Sequence, residues 1–179
     1  GDDARGEYIY KFVSKATWSN ADIGGGLKAG DKYLNEGTLY VAIFNENGRG
    51  EWKALIHGQN GLDVSNTVLP FHGQDDVLVF ARAAADVVGA TKMDRPEWVS
   101  VSPITGDVYV TLTNNKYRGV RDDQPLSAPN PRSYNTGRKA RGNDNGHIIR
   151  WVAAGDEQAA TSFDWDIDLF AAPSDVSAE

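Results

Sequence analysis

The stretch that most constrains how this chain folds is residues 93–115, Met-Asp-Arg-Pro-Glu-Trp-Val-Ser-Val-Ser-Pro-Ile-Thr-Gly-Asp-Val-Tyr-Val-Thr-Leu-Thr-Asn-Asn. Two β-type runs, 98–101 and 108–113, are joined by a turn built on Pro103, Thr105, Gly106 and Asp107. Successive side chains of a strand alternate faces, so Val108, Val110 and Leu112 fall on one side and Tyr109, Thr111 and Thr113 on the other. Polar groups bracket this hairpin: Asp94, Arg95 and Glu97 before it, Asn114 and Asn115 after it. In an antiparallel pair the start of one strand lies beside the end of the next. Arg95, Glu97 and the two asparagines are therefore expected on one rim of a sheet, a place to hold a metal and an anion. If Arg95 and Glu97 flank Pro96 in extended backbone, their side chains point to the same side.

Bulk properties narrow the function classes. A chain of 179 residues is enough for one sizeable domain or a large part of a bigger one. The formal charge of −7 argues against general nucleic-acid binding, which needs a basic face. With no cysteine, disulfides, zinc–thiolate sites and thiol nucleophiles are not available to these residues. No apolar run approaches the roughly 20 residues of a membrane-spanning helix, and no signal peptide is visible. The only methionine is Met93, and the chain opens with Gly-Asp-Asp-Ala-Arg-Gly-Glu directly before a strand, which reads as a processed protein or an excised fragment.

In order, the chain reads as short strands separated by turn clusters. Residues 8–14 and 38–45 are strands, Asn45-Glu46-Asn47-Gly48 is a hairpin turn, and 50–57 is the returning strand. Gly24–Gly26 and Gly30–Asp31 read as turn or loop, and 58–73 as irregular. Residues 76–89 form the one expected helix, with Asp75 or Asp76 as N-cap, Gly89 as stop, and apolar content all round that should pack it on the body of the protein. Residues 116–145 make about thirty positions with few apolar anchors, a length that marks functional or disordered loops. Strand character returns at 146–153 and 162–171, before a polar tail at 173–179. The class is all-β, and many short strands with Gly and Asn turns suggest a sandwich or a propeller. A propeller blade takes about 40–50 residues, so the chain would supply several antiparallel blades and leave open sheet edges through which it could self-associate.

Several blocks, in order, resemble one family: Gly1-Asp2-Asp3-Ala4-Arg5-Gly6-Glu7 through Ser14, Met93-Asp94-Arg95-Pro96-Glu97-Trp98 through Asn115, Asn130-Pro131-Arg132, Gly146-His147-Ile148-Ile149-Arg150-Trp151, and Phe163-Asp164-Trp165-Asp166. Together they are similar to the PhoX-type bacterial alkaline phosphatases. The resemblance covers nearly the whole chain and implies a partial β-propeller, residues 1–179 being one domain from within a larger propeller. It implies a phosphomonoesterase that uses iron and calcium to bind and polarise phosphate monoesters, exported to the periplasm or secreted. It assigns Arg95 to phosphate contact and catalysis, and Glu97 to metal ligation. Glu7 and Asn115 are further candidate metal ligands. It also implies a cysteine ligand upstream and other ligands downstream, so that this chain alone is expected to be inactive.

The residue types suit that chemistry. Phosphomonoester hydrolysis needs neutralised charge on the transferring group and an activated oxygen nucleophile, which clustered metal ions supply. Hard ions prefer the oxygens that Glu7, Glu97 and Asn115 carry. Arginine's planar fork matches tetrahedral phosphate and keeps its charge at alkaline pH. Each assignment has a plainer reading beside it. Arg95 and Glu97 make a surface ion pair, Glu7 is solvated, and Asn114-Asn115 only turns the chain. Asp164, Asp166 and Asp168 alternate along one strand as a solvated acidic face rather than a calcium site, and 143–146 is a turn. His147 is a structural histidine at a strand entry, and His57 and His72 carry no partner pattern. Arg118, Arg121, Arg132, Arg138, Lys139 and Arg141 form a basic loop that either attracts anions or is simply solvated. The competing function is a non-catalytic, calcium-stabilised propeller segment that binds or scaffolds; a calcium-dependent lactonase or esterase of similar shape is a third.

Overall fold

The computed structural model describes residues 1–134 and 142–171. Nine strands appear in chain order: β1 Arg5–Glu7, β2 Tyr10–Ser14, β3 Gly37–Phe44, β4 Arg49–Ala54, β5 Met93–Asp94, β6 Pro96–Val101, β7 Val108–Leu112, β8 His147–Ala153 and β9 Ser162–Phe170. Three α-helices are interspersed among the described residues: α1 Leu27–Leu34, α2 Gln74–Val79 and α3 Ala81–Val87. Seven strands join in one antiparallel sheet of order β2-β3-β4-β9-β8-β7-β6, and β1 pairs separately with β5. The fold is mostly β, as expected for part of a propeller.

The chain divides into two compact units. The first contains residues 1–9, 42–52 and 90–171 of the described chain. Here β8 pairs with β9 from His147↔Phe170 to Ala153↔Phe163, and with β7 from Leu112↔His147 to Val108↔Trp151. Val108, Val110 and Leu112 are buried, as their alternation requires. Phe44, Trp52, Trp151 and Phe163 form an aromatic core with ring centroids 5.2–6.4 Å apart. Such pairs contribute about 0.5–1.5 kcal/mol each beyond the area they bury. Gly50 is required within it, because the Phe163 ring occupies the space a β-carbon would need. The turn after β3 closes through Gly48 N–H to the Asn45 carbonyl at 3.2 Å, with Gly48 at φ +78°.

The second unit contains residues 10–41 and 53–89. In it β2 pairs with β3 from Tyr10↔Val41 to Ser14↔Gly37. Leu55, Leu62, Phe71, Val77, Ala84 and Ala85 are its fully buried apolar residues on the 53–89 segment. The single helix expected over 76–89 is two helices, broken at Phe80 (φ −103°, ψ +36°). Asp76 is not the N-cap. That position is Gly73, and Asp76, one turn in, accepts the His72 N–H at 2.8 Å. Packing is also one-sided: Val77, Ala84 and Ala85 are buried, while Leu78, Val79 and Phe80 are exposed. Gly89 does end the segment, at φ +73°.

The segment read as turn or loop around Gly24–Gly26 and Gly30–Asp31 is in part helical. α1 carries Gly30 in its interior, which costs about 1 kcal/mol relative to Ala. Asp22 compensates by accepting from Lys32 Nζ at 2.7 Å and from the Tyr33 hydroxyl at 2.5 Å. Residues 58–73 are irregular, as expected. No helix among the described residues is long and apolar enough to cross a membrane. Residues 135–141 of the basic loop, including Arg138, Lys139 and Arg141, and the tail from 172 lie outside the described residues.

Candidate functional site

Four of the five polar groups that bracket the β6–β7 hairpin meet in the first unit, Arg95 with Asn114 and Asp94 with Asn115, while Glu97 is exposed on β6. β6 pairs with β7 from Pro96↔Leu112 to Val101↔Val108, which sets the start of β6 beside the end of β7. Arg95 stands at that junction. Its carbonyl accepts the Thr113 N–H at 3.1 Å, and its guanidinium donates from Nη1 to Asn114 Oδ1 at 2.8 Å. Nη2 donates to Asp3 Oδ2 at 2.9 Å, and Asp3 Oδ1 accepts from the Thr113 hydroxyl at 3.1 Å. The Arg95 side chain is 23% exposed, so it is held in place yet reachable from solvent.

The backbone here departs from expectation. Arg95 has φ +40°, so it does not flank Pro96 in extended backbone, and the inference that Arg95 and Glu97 point to the same side loses its premise. The following proline already disfavours the right-handed helical region for Arg95. A side-chain-bearing residue in the left-handed region costs about 1–3 kcal/mol and persists only where its surroundings over-determine it.

Those surroundings are a buried polar cluster that apolar periodicity did not reveal. Asp94 is fully buried at the end of β5. Its Oδ1 accepts from Arg118 Nε and from Asn115 Nδ2, both at 2.7 Å, and its Oδ2 accepts from Asn143 Nδ2 at 3.0 Å. Asn115 Nδ2 also donates to Gln124 Oε1 at 2.7 Å, and its Oδ1 accepts the Tyr117 N–H at 3.0 Å. Asn115 and Asn143 exchange backbone hydrogen bonds of 2.6 and 2.9 Å. Arg118, 1% exposed, is the largest wholly buried side chain among the described residues and caps two carbonyls, Pro125 at 2.7 Å and Lys92 at 2.9 Å.

His147 extends the cluster. Asn143 Nδ2 lies 3.0 Å from its Nδ1, and its Nε2 lies 2.7 Å from the Pro129 carbonyl. An amide donor on one nitrogen and a carbonyl on the other fix the neutral tautomer protonated at Nε2. Burial pushes its pKa below 6.5, with the Arg118 and Arg132 charges adding to the effect against the opposing pull of the Pro129 carbonyl and Asp94.

The other residues singled out in the sequence are distributed as follows. Glu97 is exposed on β6, and Glu7 is buried on β1 opposite Met93. Asn114 meets Arg95, whereas Asn115 joins the Asp94 cluster. Asp164, Asp166 and Asp168 are all exposed along β9, and Asp166 pairs with Arg150. His57 Nε2 contacts the Phe71 carbonyl at 3.1 Å. In the loop, Arg121 pairs with Asp123 at 3.0 Å and Arg132 stacks over Phe170 at 3.8 Å. Among the described residues no three His, Cys, Asp or Glu side chains group closely enough to hold a metal ion. The donors described here therefore do not by themselves make a metal cluster.

The family model described as alkaline phosphatase PhoX matches residues 1–179. Among solved structures, the chain is similar to "Pseudomonas fluorescens PhoX in complex with vanadate, a transition state analogue", at 45% identity and a TM-score of 0.79 over 93% of this chain. The chain spans 27% of that protein's chain. No curated protein sequence matches.

Proposed function

The chain belongs to the alkaline phosphatase PhoX family, and we propose on that premise that its parent protein hydrolyses phosphate monoesters. The observation that carries this reading is the 45% identity to a protein whose structure holds vanadate, a transition state analogue. Vanadate stands in for a phosphoryl group in transfer, so a related site here would meet an oxyanion carrying developing charge. In this chain the group proposed to bind it is Arg95. Its planar guanidinium fork matches a tetrahedral oxyanion, and the bonds to Asn114 and Asp3 orient its plane. The Asp3 carboxylate shares that cation, so an incoming phosphoryl group either shares it too or takes the place of Asp3.

Glu97 is the proposed metal ligand, with Glu7 and Asn115 as further oxygen donors. Iron and calcium are the proposed metals of the parent, their remaining ligands coming from outside this chain. The reading extends to a single partial propeller domain within a larger propeller, to a periplasmic or secreted parent, and to self-association of the isolated chain through the outermost strands β2 and β6. The test is p-nitrophenyl phosphate hydrolysis by the full-length protein. Turnover is expected for the wild type, lost in Glu97→Ala and sharply weakened in Arg95→Ala. Unchanged turnover in both variants would remove the site assignment. No turnover by the wild type with iron and calcium restored would favour a scaffold segment instead.

A further inference from the structure

The proposed chemistry uses Arg95 but leaves unexplained why the neighbouring residue is a buried carboxylate. Asp94 is fixed through its main chain as well as its side chain: its N–H donates to Asn130 Oδ1 at 3.1 Å, while its carboxylate takes three donors. These clamps are themselves held. Arg118 is tied to the Pro125 and Lys92 carbonyls, and Asn130 Nδ2 donates to the Lys92 carbonyl at 3.1 Å and to Ser127 Oγ at 3.0 Å. Residues 92–94 are thus gripped from the loop on one side of Arg95. On the other side Pro96 is locked into β6 and Thr113 bonds the Arg95 carbonyl. A buried ion pair is a weak source of stability, because desolvation offsets its attraction, and its best-attested use is to fix one geometry among several. The geometry adjoining this pair is the left-handed turn at Arg95.

We propose that Asp94, held by Arg118, is the positioning residue for Arg95: the buried pair maintains the turn that sets the guanidinium at the rim, so oxyanion binding depends on an ion pair that never touches substrate. This rests on the reading of Arg95 as the phosphate-binding group. It also gives the long loop a role, since its described part supplies Arg118 and Asn143, two of the three donors to the Asp94 carboxylate.

The experiment measures the competitive inhibition constant of inorganic phosphate, with KM and kcat for p-nitrophenyl phosphate, in the full-length holoenzyme. Asp94→Asn keeps the shape and removes the charge, and Arg118→Lys keeps the charge but loses the fork that reaches three acceptors. Each is expected to weaken phosphate inhibition and raise KM by about tenfold to a hundredfold, the range for misplacing a substrate-orienting group by about an ångström. Val41→Ala, a buried position of β3, serves as a control for lost stability and is expected to leave both constants unchanged. In an Arg95→Ala background, Asp94→Asn is expected to change phosphate inhibition no further, because a residue acting through Arg95 has nothing left to act on. Should Asp94→Asn fail to fold, Asn143→Ser, which takes the amide donor from Asp94 Oδ2 and from His147 Nδ1 but leaves the Arg118 and Asn115 donors on Oδ1, is expected to weaken inhibition less but in the same direction. Wild-type inhibition in folded Arg118→Lys and Asn143→Ser, or full additivity with Arg95→Ala, would overturn the proposal. Wild-type inhibition in Arg95→Ala alone would remove the phosphate-binding reading itself, and this one with it.

Discussion

Arg118→Ala tests the energetics of the buried cluster most sharply. Arg118 and Asp94 are 1% and 0% exposed, and their ion pair measures 2.7 Å. Truncation leaves the Asp94 carboxylate with only the neutral donors of Asn115 and Asn143, and deprives the Pro125 and Lys92 carbonyls of a charged partner. Breaking a buried pair by removing one partner costs about 3–5 kcal/mol. Orphaned buried carbonyls cost about 1–3 kcal/mol each, but water entering the space left by the side chain recovers part of that. A net loss of about 3–5 kcal/mol is expected, a large share of the roughly 5–15 kcal/mol that holds a typical domain folded. Asp94→Leu combined with Arg118→Met should cost less than Arg118→Ala alone, since it leaves no unpaired charge. The assay is chemical denaturation of the full-length protein followed by circular dichroism, with thermal melting in parallel. A loss below about 1 kcal/mol, the range of solvent-exposed ion pairs, would refute the view that this pair is a buried organising contact.

Two further outcomes follow from named residues. Burial depresses the His147 pKa, so below 6.5 the unfolded state takes up a proton that the folded state resists. Stability should therefore fall as pH drops below 6.5, with this residue contributing up to about 1.4 kcal/mol per pH unit; equal pH dependence of melting between pH 7 and 5 in the wild type and His147→Gln would contradict it. Gly146 has φ +75°, and a β-carbon there would press on the Leu112 carbonyl and the Thr113 backbone, so Gly146→Ala should destabilise by about 1–3 kcal/mol from backbone strain alone, and an unchanged melting temperature would count against the strand entry drawn here.

Where apolar alternation was strong, the sequence was readable. The β6–β7 hairpin, the Asn45–Gly48 turn, and strands β8 and β9 lie within a residue or two of expectation, because period-two patterning and glycine turns act locally. The helices were less legible. α1 is held by contacts from Asp22 to Lys32 and Tyr33 that no window over 27–34 contains, and the apolar run at 76–89 gave no sign of a break at Phe80. In the loop after Asn115 it was the anchors that the sequence hid. Its anchors are Arg118, Gln124 and Asn130, residue types that are ordinarily exposed, and only their pairing with Asp94, Asn115 and the Lys92 carbonyl makes burial tolerable. The rim itself was half visible: antiparallel geometry foretold that Arg95 and Asn114 would meet, while the left-handed turn at Arg95 depends on contacts from distant residues.

The measurement that tests the central claim most directly is vanadate inhibition of p-nitrophenyl phosphate hydrolysis by the full-length protein, compared between wild type and Arg95→Ala. Loss of a charge-assisted guanidinium contact to an oxyanion is expected to weaken inhibition by about tenfold to a hundredfold, or about 1.4–2.8 kcal/mol. Equal inhibition of the two proteins by vanadate would contradict the assignment of Arg95 as the residue that receives the phosphoryl group.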